Sequence, residues 1–270
     1  MAMMLIDQTK DSACKTAEAD AIRAKMGGSA QLAYDWANNK GFADAIAAIP
    51  SGGGGPTLQE YLKNELTDYV DDTLTSIPNF AFNRYSGGIK NFRAKNATSV
   101  GQTAFYLINS LESFFAPLAA VNAQTFYGCW KMSICVCSAF AGNIATNADV
   151  FMKYGTDPSL HTVDFSLKKN GFGKRMFQNC VNLKTLILRE AAIFPLGDVS
   201  AFTGTPFASD GTGGTIYIPK SMYDHLGDNS ADDYKAATNW STVNGYGTIT
   251  WAIIEGSVYE NAYADGTPIS

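Results

Sequence analysis

A repeating apolar skeleton constrains this chain more than any other feature of its sequence. Residues 160–182, LHTVDFSLKKNGFGKRMFQNCVN, show one copy of it. The copy begins with Leu160, and apolar residues follow three and five positions later, at Val163 and Phe165. Near its end, Phe177 is followed three positions later by the small apolar Cys180. The skeleton recurs at a period of roughly 21 to 28 residues, which is typical of a leucine-rich solenoid with one short strand per repeat. A single repeat cannot bury its own apolar edge, whereas several stacked repeats can.

The copies align over most of the chain. The leading aliphatic positions are Ile89, Leu111, Met132, Leu160 and Leu183. The paired apolar positions that follow are Phe92 and Ala94, Phe114 and Ala116, Cys135 and Cys137, Val163 and Phe165, and Leu186 and Leu188. Phe105, Phe126 and Phe177 share a repeat position, so we predict that they stack into one internal ladder. The copy over residues 132–158 is stretched by an insertion that departs from the pattern.

Two short motifs connect the skeleton to a known family. Ala104-Phe105 and Phe177-Gln178-Asn179-Cys180 resemble the Ala-Phe-x-x-Cys ending of the BspA-type leucine-rich repeats, and the likeness covers about residues 70–220. This resemblance implies an α/β solenoid. Such repeats occur on bacterial surface proteins and on phage particles, so the resemblance is informative about the fold and nearly silent about function.

The chain divides into four predicted parts. Residues 1–50 contain two predicted helices and form a small helical amino-terminal docking segment, and the glycine-rich residues 51–57 form a linker. The solenoid with its amino-terminal cap spans 58–221, and a mixed carboxyl-terminal cap spans 222–270. The stretches AIRAKMGGSAQLAYDW and GFADAIAAI are similar to the amino-terminal segments of minor structural proteins of tailed phages.

The amino-acid composition argues against some classes of function. With 46% hydrophobic and 17% charged residues the chain has the composition of a globular protein, and its net charge of −5 argues against nucleic-acid binding. No apolar run approaches the length of a membrane-spanning helix, and we expect neither a membrane span nor export by a signal at the amino terminus.

The polar and thiol groups do not predict catalysis or ligand binding. Cys135 and Cys137 are spaced i,i+2 on a predicted strand, a poor geometry for a disulfide, so we expect reduced cysteines in the core. Two histidines are too few for a zinc site, and we expect no metal and no cofactor. The adjacent pairs Asp71-Asp72 and Asp232-Asp233 are interpreted as solvated turn residues rather than catalytic carboxylates.

Strand alternation predicts one candidate interaction face. If the paired apolar positions point inward, the residues between them point outward, because successive side chains on a strand alternate. Phe115, Ile134 and Val136 then form an apolar patch on the outward face, with Ile187 as a separate apolar point. We expect another subunit, a virion partner or the amino-terminal segment to cover this face. Alternatively the fourth repeat is out of register, which would place Cys135 and Cys137 outward.

Three functions remain after these exclusions. The preferred one is a non-enzymatic phage virion protein, made in the bacterial cytoplasm, whose solenoid recognises a host-surface protein or glycan or stabilises the particle. Its partners would be other virion proteins or its own copies. The alternative is an adhesin on the bacterial cell surface, and the third is a carbohydrate-active enzyme.

Overall fold

The computed structural model describes residues 67–85, 88–153, 159–247 and 249–262. The predicted helical docking segment, the glycine-rich linker and nearly all of the amino-terminal cap of the solenoid lie outside these residues. In the described part the strands are β1 (Asp68–Val70), β2 (Asn91–Arg93), β3 (Ser113–Val121), β4 (Ile134–Phe140), β5 (Thr162–Phe165), β6 (Thr185–Leu188), β7 (Gly214–Ile218) and β8 (Ile249–Ile253).

These strands form one parallel sheet in sequence order from β1 to β8. Each coil of the chain therefore returns to place its strand beside the previous one, which is the arrangement of a solenoid. The register follows the predicted repeat, with Phe92, Phe114, Cys135, Val163 and Leu186 standing side by side on successive strands. The solenoid prediction and its repeat alignment are confirmed for this part of the chain.

Turns rather than helices close each coil on the side opposite the sheet. In most coils, residues two before and two after the repeat Phe adopt left-handed φ, such as Thr103 (53°) and Leu107 (59°) around Phe105. This tight backbone directs main-chain groups along the solenoid axis, and the amide of Phe105 donates to the carbonyl of Thr125 at 2.9 Å. Neighbouring coils are thus hydrogen-bonded on both sides of the core.

The predicted phenylalanine ladder is present and longer than predicted. Adjacent rings are stacked with centroids 5.0–5.6 Å apart. The ladder consists of Phe82, Phe105, Phe126, Phe151, Phe177 and Phe202. A second stack from the strands, Tyr69, Phe92 and Phe114, meets the first edge to face, as in the 4.9 Å pair of Phe92 and Phe105. The two stacks fill the first half of the core.

The carboxyl-terminal cap closes the last coils with aromatic residues. A 3₁₀ helix (Val199–Phe202) precedes β7, and helices α1 (Lys220–Tyr223) and α2 (Trp240–Gly245) follow it. The buried Trp240 donates from Nε1 to the carbonyl of Phe194 at 2.7 Å, and Tyr234 packs on it edge to face at 5.4 Å. The sheet continues beyond residue 221, because β8 of the cap pairs with β7.

One strand prediction for the cap was too long. The apolar run over residues 246–259 predicts a strand, but β8 stops at Ile253. Beyond it the last sheet bond runs from the amide of Ile254 to the carbonyl of Ile218 at 2.9 Å, and the chain continues in short turns. A glycine at position 256 with φ of 78° helps the chain to leave the sheet there.

We expect Phe177→Ala to destabilise the fold by about 3–5 kcal/mol, because it opens a cavity in the middle of the ladder. The control is Phe80→Ala, since Phe80 is 60% exposed, and it should cost less than about 0.5 kcal/mol. Chemical denaturation of the two variants beside the natural chain gives both values. Equal, small losses would show that the stacked rings do not hold the coils together.

Candidate interaction surface

The outward face of the sheet carries two parallel rows of side chains, here called the outer sheet face. Both rows follow directly from the strand register. The first row is Asn91, Ser113, Ile134, Thr162, Thr185, Thr215 and Thr250. The second is Arg93, Phe115, Val136, Asp164, Ile187, Tyr217 and Ala252. The threonines keep one row polar over β5 to β8, whereas the other row is largely apolar from β3 to β7.

The four residues of the predicted interaction face all lie on this surface. Phe115, Ile134, Val136 and Ile187 belong to one cluster, and each is at most 9% exposed. The description of Ile187 as a separate apolar point is therefore wrong. Asp164, which lies between Val136 and Ile187 in the row, is itself fully buried and does not interrupt the cluster. That this face contacts a partner stays a prediction.

A segment that the sequence did not assign to this face packs on it. Residues 254–262, here called the strap, run from the end of β8 back over the outer sheet face. Ile254 is part of the apolar cluster, and Tyr259 and Ala262 pack against it. The ring of Tyr259 meets the ring of Tyr217 edge to face with centroids 4.7 Å apart. The chain's own carboxyl-terminal segment thus provides a cover that was not among the three expected ones.

Arg189 fixes the strap to the sheet. Its Nη2 donates to the carbonyl of Tyr259 at 2.9 Å and to that of Ala262 at 3.2 Å, and its Nη1 donates to the carbonyl of Glu260 at 3.3 Å. The guanidinium is well suited to this task because it presents several fixed donors in one plane. One side chain of the sheet therefore holds three main-chain carbonyls of the strap.

Asp164 holds the guanidinium of Arg189 in place. Arg189 Nε donates to both carboxylate oxygens at 2.9 and 3.0 Å, and Nη2 donates to Oδ2 at 2.7 Å. Burial raises the pKa of Asp164 to about 6, against the opposing effect of Arg189. The carboxylate is still ionised at neutral pH and can orient the arginine through charge-assisted hydrogen bonds.

A related pair borders the other end of the apolar row. Arg93 donates to Asp72 from Nε at 3.3 Å and from Nη2 at 3.2 Å. Its guanidinium carbon also lies 5.7 Å from the centroid of the Phe115 ring, within the range of a cation–π contact. The hydrogen bonds from Arg93 and from the amide of Lys95 lower the pKa of Asp72 despite partial desolvation. Ionic groups therefore flank the apolar cluster on both sides.

The burial of two cysteines shows the register of the fourth repeat. Cys135 and Cys137 are fully buried and unbridged, with their Sγ atoms 3.8 Å apart, so they point inward as predicted. The alternative register, with both thiols outward, is wrong. Cys129 and Cys180 are buried at the shared repeat position, and burial raises the pKa of each to about 12.

Three charged side chains are buried although the repeat pattern does not predict it. Lys153 is fully buried in the fourth coil, where its Nζ donates to the carbonyl of Met132 at 3.4 Å and burial lowers its pKa. Asp233 is also buried rather than solvated, and its carboxylate accepts from the amides of Asn229 and Lys235. The buried ion-pair partner Asp164 is the third. None of these residues recurs at its position in the other copies of the repeat, so the periodic pattern cannot predict its burial.

Two kinds of feature are absent from the described residues. Within them, no group of three or more histidine, cysteine, aspartate or glutamate side chains is arranged to hold a metal ion. In the same stretches, no helix has both the length and the apolar character needed to cross a membrane.

The parallel sheet, the repeat register and the phenylalanine ladder define a leucine-rich repeat solenoid. The family model described as the BspA type leucine rich repeat region matches residues 75–204 in 6 copies. The match supports BspA-type leucine-rich repeats in this part of the chain. No curated protein matches the chain.

We expect the four described cysteines to resist a thiol reagent in the native chain and to react after unfolding. They are buried, and for Cys129 and Cys180 the raised pKa also removes the reactive thiolate. Peptide mapping after brief labelling assigns each cysteine separately, including Cys14, which lies outside the described residues. Rapid modification of Cys135 and Cys137 would contradict the inward register.

The titration of Asp164 should appear in the pH dependence of stability. Because its pKa is raised from 3.8 to about 6, the folded state keeps this proton to a higher pH than the unfolded chain does. The stabilisation from this group is complete below the unfolded pKa and is lost as pH rises through about 6. The unfolding free energy of the natural chain minus that of Asp164→Asn should therefore fall by about 3 kcal/mol between roughly pH 3 and 7.

Taking this difference removes the titration of all other groups. The cost of leaving Arg189 without its carboxylate remains in the difference as a constant, so it does not affect the change with pH. Denaturant unfolding of both proteins across the pH series provides the measurement. A difference that is flat, or that rises with pH, would contradict the proposed environment of Asp164.

Proposed function

We propose that this chain is a non-enzymatic structural protein of a phage virion, in which the solenoid acts as an interaction module. In the particle it recognises the host surface or stabilises the assembly by binding other virion proteins or its own copies.

The main support for an interaction role is the apolar row on the outer sheet face. Outward positions of a freely soluble solenoid are expected to be polar, yet Phe115, Val136, Ile187 and Tyr217 stand on this face between β3 and β7. In this chain the face already holds a polypeptide segment, because Phe115, Val136 and Ile187 are buried in one cluster with Ile254 of the strap. The match to BspA-type repeats supports the same role, since stacked repeats create extended surfaces that solenoid proteins use for binding.

The rigid core supports a structural role in a particle. Stacked rings at 5.0–5.6 Å and hydrogen bonds between coils hold the sheet as one continuous unit. A rigid platform loses little conformational entropy when it binds. The placement in a virion is supported by the similarity of the amino-terminal segment to minor structural proteins of tailed phages and by the occurrence of these repeats on phage particles.

The experiment that tests the proposal locates the protein. Particles released by the producing bacterium are purified on a density gradient, and antibodies against the solenoid are applied in immunogold electron microscopy and in blots of gradient fractions. The matched control is the cell-wall and membrane fraction of the same culture. We expect the protein to sediment with the particles and the gold to lie on them.

Two other outcomes would overturn the proposal. Labelling of intact cells, with particles left unlabelled, would identify a cell-surface adhesin, which is the main alternative. Release of soluble sugars from host cell-wall material by the purified chain would instead indicate a carbohydrate-active enzyme.

A further inference from the structure

The strap contacts the outer sheet face in a way that differs from the rest of the solenoid. The hydrogen bonds within the strap are local turn contacts. The amide of Ser257 donates to the carbonyl of Ile254 at 3.0 Å, and the amide of Glu260 donates to the carbonyl of Ser257 at 3.2 Å. Beyond Ile254 the strap pairs with no described strand. Its contacts with the sheet are instead those of Arg189 and of the apolar cluster around Ile187 and Tyr217.

We propose that the outer sheet face around Arg189 is a docking groove for a short polypeptide segment of another protein, and that the strap is its resident occupant. A partner segment binds by displacing the strap. This inference rests on the proposed interaction function, since it names the part of the outer sheet face that binds and the kind of partner it takes.

The strap itself shows the chemistry that the groove recognises. Arg189 binds main-chain carbonyls, which any polypeptide can supply, and so it sets the position of the segment without reading its sequence. Tyr217 and Ile187 bind the apolar side chains that accompany those carbonyls, and Tyr217 meets an aromatic ring edge to face. The groove therefore fits a turn-forming segment with one aromatic side chain, and selects it by shape and by that side chain.

Beyond Ile254 the strap can leave the groove without breaking strand pairing, since the last sheet bond is the one from the amide of Ile254 to the carbonyl of Ile218. Its departure gives up the hydrogen bond that Glu255 accepts from the amide of Lys220 at 2.8 Å, and a side chain at Gly256 would meet no other atom within 4 Å. Three residues on the far side of the strap, Glu255, Val258 and Glu260, are exposed. Being tethered, the strap competes with a partner at an effective concentration in the millimolar range. Strong contacts with a partner are then needed to displace it, which suppresses binding of unsuitable segments.

The test uses the full chain and a fluorescent peptide with the sequence of residues 254–262, IEGSVYENA. In the natural chain the tethered strap competes with this probe. The Tyr259→Ala variant weakens the strap by removing its ring from Tyr217, so it should bind the peptide at least about tenfold more tightly than the natural chain. Fluorescence anisotropy titrations give both affinities.

The second part of the test changes Arg189. In the Tyr259→Ala background, Arg189→Met should weaken peptide binding by more than about tenfold, because the donors to the main-chain carbonyls are lost. Arg189→Met alone leaves Asp164 buried without its partner. The double variant Asp164→Asn, Arg189→Met is therefore measured as well. The matched control is Arg175→Met, which removes an equally bidentate pair with Asp149 on the turn side of the solenoid and should leave peptide binding unchanged.

The outcomes separate this inference from the proposed function. Absence of saturable peptide binding to a folded Tyr259→Ala variant, or binding that does not depend on Arg189, overturns the docking groove but leaves the localisation experiment unaffected. If the natural chain forms dimers that the Arg189→Met change separates, the groove takes the strap of a second copy instead of a partner segment, and the proposal is also overturned.

Discussion

The stacking of each coil on the next is the constraint on which the rest of this structure depends. A single coil of turns with a strand of three to nine residues has no stable core of its own. When coils stack in register, each repeat Phe within the ladder lies between two others, and neighbouring strands and turns are hydrogen-bonded to each other. The core is therefore shared along the whole solenoid, and every other feature, including the outer sheet face, takes its geometry from this register.

Register also explains why an apolar surface can form outside the core. In a parallel sheet with strands about 4.8 Å apart, residues at the same outward position line up into a continuous row. Apolar residues at that position in β3, β4, β6 and β7 thus merge into one surface, although they are more than twenty residues apart in sequence. The same regularity that builds the core gathers apolar side chains on one outward face.

The Asp164–Arg189 pair fixes the position of the strap on that face. Removing a carboxylate from water is costly, and this cost is offset only when its partner is fixed by several hydrogen bonds. Here the carboxylate orients the guanidinium, and the guanidinium in turn binds the strap carbonyls. An apolar pair of similar volume would hold the sheet equally well but would have no donors for a main chain. The buried ion pair therefore acts by holding donors in place for the strap carbonyls.

The sequence by itself determined the features that repeat. The strand positions, the inward cysteines, the phenylalanine ladder and the outward placement of Phe115, Ile134, Val136 and Ile187 all follow from one periodic pattern, because alternation along a strand fixes which side each residue takes. Tertiary structure alone decided the burial of Lys153, Asp164 and Asp233, the end of β8 at Ile253 and the return of the strap to Arg189. Each of these is a single contact between positions with no shared period. Their burial depends on which other segment packs above them, and a local sequence pattern contains no information about that segment.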